Sequence, residues 1–275
     1  MSAAADPLVR IAAALERLVP PALQPTDWAS FPAYVCDGTC VRPVATIVAP
    51  APGLLRGIDQ QKQVVLENVA RHAAGSAAHD MLLWGARGMG KSALLRASVV
   101  AAQDSAPGAV ALVQVAQDAL GTLAGLFADL GRVDRRFIVF IDDLGFEDTD
   151  GEGPRRLRSW LEGGVEARPA NVRLAVTSNR RAIVARHASE QDDPINPRDA
   201  VDDRLALADR FGLSIGFHNC SQDDYLAIIS GYASAYGLIF DEGDALEWSR
   251  RRGARSGRVA WHYVTELAGR AGKAL

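Results

Sequence analysis

Short runs of almost unbroken apolar residues recur from residue 81 onward, separated by stretches in which apolar side chains return every three or four positions. The runs are MLLW (81–84), AVALVQV (109–115), FIVFI (137–141), VRLAVT (172–177) and LSIGF (213–217). A strand buried on both faces is apolar at nearly every residue, and runs of this length bounded by turn residues read as such strands. Helical stretches lie between them. The pattern predicts an α/β layered domain with a five-stranded parallel sheet sandwiched by helices.

The alternation stops near residue 220. SQDDYLAIISGYASAYG, EGDALEWSRRRG and SGRVAWHYVTELAGRAGKAL carry helical spacing, which predicts a small helical lid domain over 220–275. Ser221 followed by Asp224 approximates a capping box with Asp in place of Glu. At the other end, ADPLVRIAAALERLVPPAL offers Asp6 as a cap, Pro7 as a first helical residue, and a stripe of Leu8, Ile11, Leu15 and Leu18 that stops at Pro20 and Pro21. Its polar face carries both charge signs, which suits packing on protein better than lying on a membrane. Residues 20–54 are rich in proline and aromatics and read as an extended arm. The chain thus divides into a helix and arm (1–53), an α/β domain (54–219) and the lid (220–275). QQKQVVLENVARHA opens the second part as a helix.

Composition narrows the class. With 275 residues, 48% apolar and 23% charged, the chain has enough material for a proper core. A formal net charge of −3 argues against whole-surface attraction to nucleic acid, while leaving room for a local basic patch. No apolar run approaches the ~18 to 20 residues that span a bilayer, and MSAAADPLVR lacks the build of a secretory signal. Cys36, Cys40 and Cys220 are too few for a disulfide framework and read as free thiols in a reducing cytoplasm. The histidines have no ligand partner at zinc-site spacing, so no structural metal is expected.

The sharpest chemical signal is Gly85-Ala86-Arg87-Gly88-Met89-Gly90-Lys91-Ser92, a full match to G-x-x-x-x-G-K-[ST]. It follows a buried-strand run and opens a helical stretch, SALLRASVVAA. Glycines let the backbone wrap phosphate oxygens, and amide N–H groups with the positive helix end face the anion. Lys91 is expected to reach the β- and γ-phosphates and Ser92 to ligate Mg²⁺. A plain Gly-rich turn is the competing reading.

FIVFI ends in Asp142-Asp143. A carboxylate there can hold Mg²⁺ through its waters, and Asp142 is the candidate. Asp143 is the candidate for orienting or activating the attacking water, with Glu147 in reserve; a solvated turn is the alternative. VRLAVT runs into Ser178 and Asn179. If this strand stands between the phosphate-loop strand and the acidic strand, Asn179 can hydrogen-bond both phosphate and water; otherwise it is a turn residue. Arg210, just before the last run, would lie at the domain rim, able to reach a neighbouring subunit's nucleotide or to form a surface salt bridge. The arginines at 250–252, 255 and 258 bring Arg255 and Arg258 to the start of the last helix, where Arg258 is preferred as the one leaning over the phosphates. A solvated or nucleic-acid-facing basic patch is the alternative.

Taken together, these residues resemble the AAA+ ATPase superfamily over about 54–275. Gly85 to Ser92 look like Walker A, Phe137 to Asp143 like Walker B, Asn179 like sensor 1, Arg210 like an arginine finger and Arg258 like the sensor-2 arginine. LLRGIDQQKQVVLENV is similar to the segment covering the adenine, with Gly57 and Ile58 near the base. In combination, GIDQQKQVVLENV, LLWGARGMGKS, IDDLGFE, TSNRR, LADRFGL and RSGRVA resemble a bacterial family of AAA+-like ATP-binding proteins known as domain of unknown function 815. The resemblance implies a P-loop NTPase of AAA+ type with the phosphate-loop strand central in the sheet, a helical lid, ring or filament assembly, and ATP with Mg²⁺ as ligands. No N/T-K-x-D guanine-reading tetrad is present, in agreement. The chain departs from the pattern at Asp143, where many AAA+ enzymes carry Glu. Aspartate is one methylene shorter, so water activation rests on a shorter arm or passes to Glu147.

The leading expectation is an oligomeric ATPase that uses hydrolysis to remodel or load a protein or nucleic-acid client. The alternative is a nucleotide-gated switch with slow or partner-dependent hydrolysis. A DNA-engaging form is favoured by the 250–258 arginines and by NRRAIVAR (179–186), and is opposed by the acidic balance. HASEQDDPINPRDAVDD reads as an exposed loop.

Overall fold

A computed structural model describes residues 26–145, 160–161, 168–179 and 210–275. The expected N-terminal helix, Glu147, residues 180–186 of the basic stretch and the loop after them lie outside the described residues. The five expected strands are all present, and the sheet they build is wider than five. Its strands are β1 (Ala33–Cys36), β2 (Val41–Val44), β3 (Met81–Gly85), β4 (Val110–Val115), β5 (Arg136–Ile141), β6 (Val172–Ser178) and β7 (Leu213–Phe217). They lie in the order β2-β1-β4-β5-β6-β3-β7. All pairings are parallel except the β1–β2 hairpin. Among the described residues β3, which leads into the phosphate loop, stands one in from the β7 edge, so the expectation that it is central is corrected.

Successive side chains of each strand serve opposite layers. Met81 and Leu83 of β3 enter one core, with Leu112, Ile138, Phe140 and Ala175. Leu82 enters the other, with Val113, Val139, Leu174 and Val176. The first core is covered by α1 (Asp59–Ala73) and α2 (Lys91–Ser105), and it continues into the lid through Tyr225, Ile229 and Tyr263. The second is covered by α3 (Leu123–Leu130), which contributes Leu123, Leu126, Phe127 and Leu130, and by Trp28 of the arm. Coverage on both faces explains why the strand runs lack polar alternation.

The arm read as merely extended supplies β1 and β2. Arg135 Nη1 donates to the carbonyls of Trp28 (3.0 Å), Ala29 (2.8 Å) and Phe31 (2.7 Å), and its Nε to Gly108 (2.9 Å). Gln103 Nε2 donates to Pro32 and Val110. The arm therefore has fixed partners beside β4. Pro43 sits on β2, at the edge of the sheet, where its missing N–H costs no ladder bond.

The lid comprises α4 (Gln222–Tyr236), α5 (Glu242–Arg251) and α6 (Gly257–Arg270). The capping box forms as expected: Ser221 Oγ accepts from Asp224 N, and the Asp224 carboxylate accepts from Ser221 N. Among the described residues no helix is long and apolar enough to cross a membrane.

Candidate functional site

The site lies at the carboxyl ends of β3, β5 and β6, where strand-to-helix turns bring polar groups together above the sheet. β3 ends at Gly85, whose φ of +119° and close packing on the Phe217 carbonyl leave no space for a Cβ. Ala86 N then donates to that carbonyl at 2.9 Å, tying the loop entrance to β7. Gly88 (φ +75°) and Gly90 (φ +89°) turn the chain in the left-handed region, and α2 starts at Lys91.

Lys91 is buried, only 7% exposed. Its Nζ donates to the carbonyls of Gly85 (2.8 Å) and Ala86 (2.9 Å) and to Asn179 Oδ1 (3.3 Å). Burial pushes the ammonium below the ordinary lysine range; Asp143 and Asp142 oppose that shift, and Arg87 and Arg258 add to it. Ser92 Oγ donates to Asp142 Oδ1 at 2.5 Å, and Thr177 Oγ1 donates to the same oxygen at 2.6 Å. Thr177 Oγ1 also accepts from Asp143 N at 2.8 Å. Asn179 Nδ2 donates to Asp143 Oδ1. Asn179 thus stands between Lys91 and Asp143, just past the end of β6, the strand that separates β3 from β5.

Asp143 is the sole non-glycine residue with positive φ among the described residues, at +53°. Such a conformation persists where its surroundings over-determine it. Gln117 Nε2 holds both carbonyls of the turn, Asp142 O at 3.0 Å and Asp143 O at 2.8 Å, and Leu144 N donates to Thr177 O.

These groups open on a cleft of about 1040 Å³ lined by Arg87 to Ser92, Asp142, Asp143, Asn179 and Arg258. Its far wall is apolar, formed by Val48, Pro50 and Leu54 of the arm and by Ile228, Tyr232 and Trp261 of the lid. Tyr232 and Trp261 pack edge to face with centroids 4.9 Å apart. The volume and the split between a cationic loop and an apolar wall suit a phosphorylated ligand with a flat apolar end. The hard oxygens of Ser92 and Asp142, side by side, form the kind of pair that holds Mg²⁺ together with ligand oxygens.

The candidate residues divide as follows. Ile58 lines the cleft, whereas Gly57 faces the Asp224 side chain instead. Gly85 and Ala86 stand behind the loop as acceptors for Lys91. Arg258 lines the cleft, and its backbone N–H donates to Gly88 O at 3.1 Å. Arg255 is exposed and donates to Gln222 Oε1 at 3.4 Å. Arg210 precedes β7 by three residues. Because β3 and β7 run parallel, with Met81 opposite Leu213 and Gly85 opposite Phe217, it lies at the opposite end of the sheet from its own phosphate loop. Thr177 and Gln117 were not singled out from sequence. Their signal is that each is a polar residue at or just beyond the carboxyl end of a buried strand, the place where Asp142 and Asn179 also stand.

The solved structures that share this architecture include the Holliday junction branch migration motor RuvB of Thermotoga maritima, at 16% identity and TM-score 0.52, covering 80% of this chain and 68% of that one. The Aeropyrum pernix ORC1 protein in complex with DNA aligns at 16% identity and TM-score 0.52, covering 83% and 66%. The Aeropyrum pernix ORC2 protein, in ADPNP–ADP complexes, aligns at 12% and 0.56, covering 82% and 66%. This chain therefore spans about two thirds of each of those chains, and at these identities the likeness establishes the AAA+ fold. No curated protein matches the chain. A family model covers residues 29–271, arm included, and the chain belongs to that family, described as protein of unknown function (DUF815), with the fold of an AAA+ P-loop NTPase.

Proposed function

We propose that the protein is a Mg²⁺-dependent ATPase of the AAA+ type whose active site is completed by a second copy of the chain, and that its turnover remodels or loads a protein or nucleic-acid client. The observation that carries this reading is the cleft, where the Gly88–Ser92 loop, Asp142, Asp143, Asn179 and Arg258 converge from the loop, two strands and the lid.

The proposed roles are these. Loop amides and the start of α2 hold the phosphates. Lys91, released from the Gly85 and Ala86 carbonyls, offers its ammonium to the β- and γ-phosphates. Mg²⁺, carried by Ser92 and Asp142, offsets phosphate charge when bound. Asp143, oriented by Asn179, accepts the proton of the water that attacks the γ-phosphorus as the bond to the β-bridging oxygen breaks. ADP and inorganic phosphate result. Arg258 reports the state of the phosphates to the lid. Arg210 is at least a strand's length from its own loop, on the order of 16 Å for five residues. An arginine side chain does not bridge that distance, which favours action on a neighbour's nucleotide. Glu147 remains the reserve base.

A second reading is a nucleotide-gated switch. It is favoured by Asp143, a short carboxylate already held by Asn179. The RuvB and ORC1 likenesses make DNA one client to test, and the ORC2 complexes make adenine nucleotides the first ligands to try.

The deciding experiment is ATP hydrolysis against protein concentration for the wild type, Lys91→Ala and Arg210→Ala, with size analysis alongside. Specific activity rising with concentration, both variants inactive, and Arg210→Ala still binding ATP support the shared-site ATPase. Tight ATP binding with negligible turnover and no effect of Arg210→Ala moves the protein to the switch reading. Salt-sensitive DNA binding, with or without ATP, decides the client class.

A further inference from the structure

Arg96 is a cleft residue with no role in the scheme above. It lies on α2, half-buried, and lines the cleft. Among the described residues it makes no hydrogen bond and no ion pair, and its Nε is buried without a partner. The buried Nε is out of a cleft ligand's reach, so the donors that Arg96 has to offer the cleft are those of Nη1 and Nη2, which have no acceptor among the described residues either.

Helix geometry says which part of a ligand it meets. Arg96 is four residues beyond Ser92, on the same face of α2 and about 6 Å further along the axis. The phosphates are taken up by the Gly88–Ser92 turn, before that point. The apolar wall of Val48, Pro50, Leu54, Ile228 and Tyr232 suits the base. Between phosphates and base lies the sugar, whose hydroxyls are the acceptors one helical turn past the loop. The two aspartates lining the cleft do not offset the Arg96 charge. Asp142 is engaged by Ser92 and Thr177, and Asp143 by Asn179, all at the phosphate end.

Resting on the nucleotide reading, we propose that Arg96 is a specificity residue: its guanidinium donates to the 2′ and 3′ hydroxyls of the bound ribonucleotide and makes the cleft prefer ribose over deoxyribose. The fork of guanidinium donors matches a vicinal diol better than the single ammonium of lysine does.

The test is calorimetric binding of ATP and 2′,3′-dideoxy-ATP, each with Mg²⁺, to the full chain as wild type, Arg96→Met and Arg96→Lys. Wild type is expected to bind ATP roughly tenfold more tightly than the dideoxy analogue, the worth of about one charge-assisted hydrogen bond. Arg96→Met is expected to lose that tenfold on ATP and to leave the analogue's affinity unchanged; Arg96→Lys falls between. Wild type that binds the two equally overturns the proposal without recourse to any variant. An equal loss on both ligands in Arg96→Met also overturns it, because the arginine then acts through charge on the phosphates. Failure of wild type to bind either nucleotide defeats the nucleotide reading itself. ATP binding without sugar discrimination defeats only the role of Arg96.

Discussion

The backbone N–H of Arg258 donates to the carbonyl of Gly88 at 3.1 Å, so the last lid helix is bonded directly to the phosphate loop. The same glycine has φ +75°, and a Cβ placed on it would stand 2.9 Å from Ser256 Oγ and 3.2 Å from Arg258 Cβ. Gly88→Ala therefore strains the loop and displaces the lid together. Expected are a stability loss of about 1–2 kcal/mol from the left-handed conformation and a fall in ATP affinity of roughly tenfold or more. Denaturant titration and nucleotide binding on the same preparation check both. Full ATP affinity in a folded Gly88→Ala variant would show that the loop and lid do not act as one clamp.

Thr177 is 1% exposed and joins the two aspartates, accepting from Asp143 N and donating to Asp142 Oδ1. Thr177→Val keeps the shape and removes both bonds, leaving the part-buried N–H of Asp143 without its protein partner. The expected cost is about 1 kcal/mol, the worth of an ordinary hydrogen bond. The turnover number is expected to drop further than stability alone accounts for, with KM nearly unchanged, because Asp143 loses its left-handed anchor. Thr177→Ser restores the hydroxyl and is expected to recover most of the rate. A Thr177→Val enzyme with wild-type turnover would remove Thr177 from the site.

What the sequence made legible follows from how local each signal is. The five buried strands are runs in which burial on both faces forces apolar residues, and each was found within one or two residues of its end. The phosphate loop is readable because close backbone approach requires glycine at fixed spacing. β1 and β2 were missed because their partners are remote: Ala33 pairs with Leu112, and Arg135 reaches back more than a hundred residues to Trp28. Four-residue strands, one of them VRPV, carry too little periodicity to be read locally. The apolar wall of the cleft escaped notice for the same reason, since Val48 and Pro50 meet the lid only through the fold. Gly57 was placed near the base by resemblance, and in this chain its neighbours Arg56 and Ile58 line the cleft instead.

The arm hangs on Arg135. Burial pushes its guanidinium somewhat below the ordinary arginine value, yet it stays charged across the accessible pH range. Arg135→Met preserves much of the packing and abandons the carbonyls of Trp28, Ala29 and Phe31. The expected loss is about 2 kcal/mol, within the range for hydrogen bonds from a charged donor, and it falls on one edge of the sheet. Limited proteolysis is expected to cut first within 26–44, and ATP affinity is expected to weaken because Val48 and Pro50 are displaced with the arm. Cleavage at unaltered rate in that segment would mean that Gln103 and the β1–β4 ladder suffice.

His72 makes stability depend on pH. It is 1% exposed on α1, with Nε2 3.0 Å from the Phe137 carbonyl, a bond that needs the proton on Nε2. Burial disfavours the second proton and pushes the ring from its ordinary 6.5 down to about 4; the Phe137 carbonyl opposes this, and Arg173 and Arg136 reinforce it. Between those values the unfolded chain binds a proton that the folded chain refuses. Stability is therefore full above about pH 6.5, declines as pH falls toward about 4, and levels off below. At pH 5 the difference amounts to about 2 kcal/mol. Urea unfolding at pH 7.5 and pH 5 measures it, with His72→Gln as a non-titrating reference that can still donate to the Phe137 carbonyl. Wild type is expected to lose about 2 kcal/mol more than the variant between the two pH values, and parallel losses would place the acid sensitivity elsewhere in the molecule.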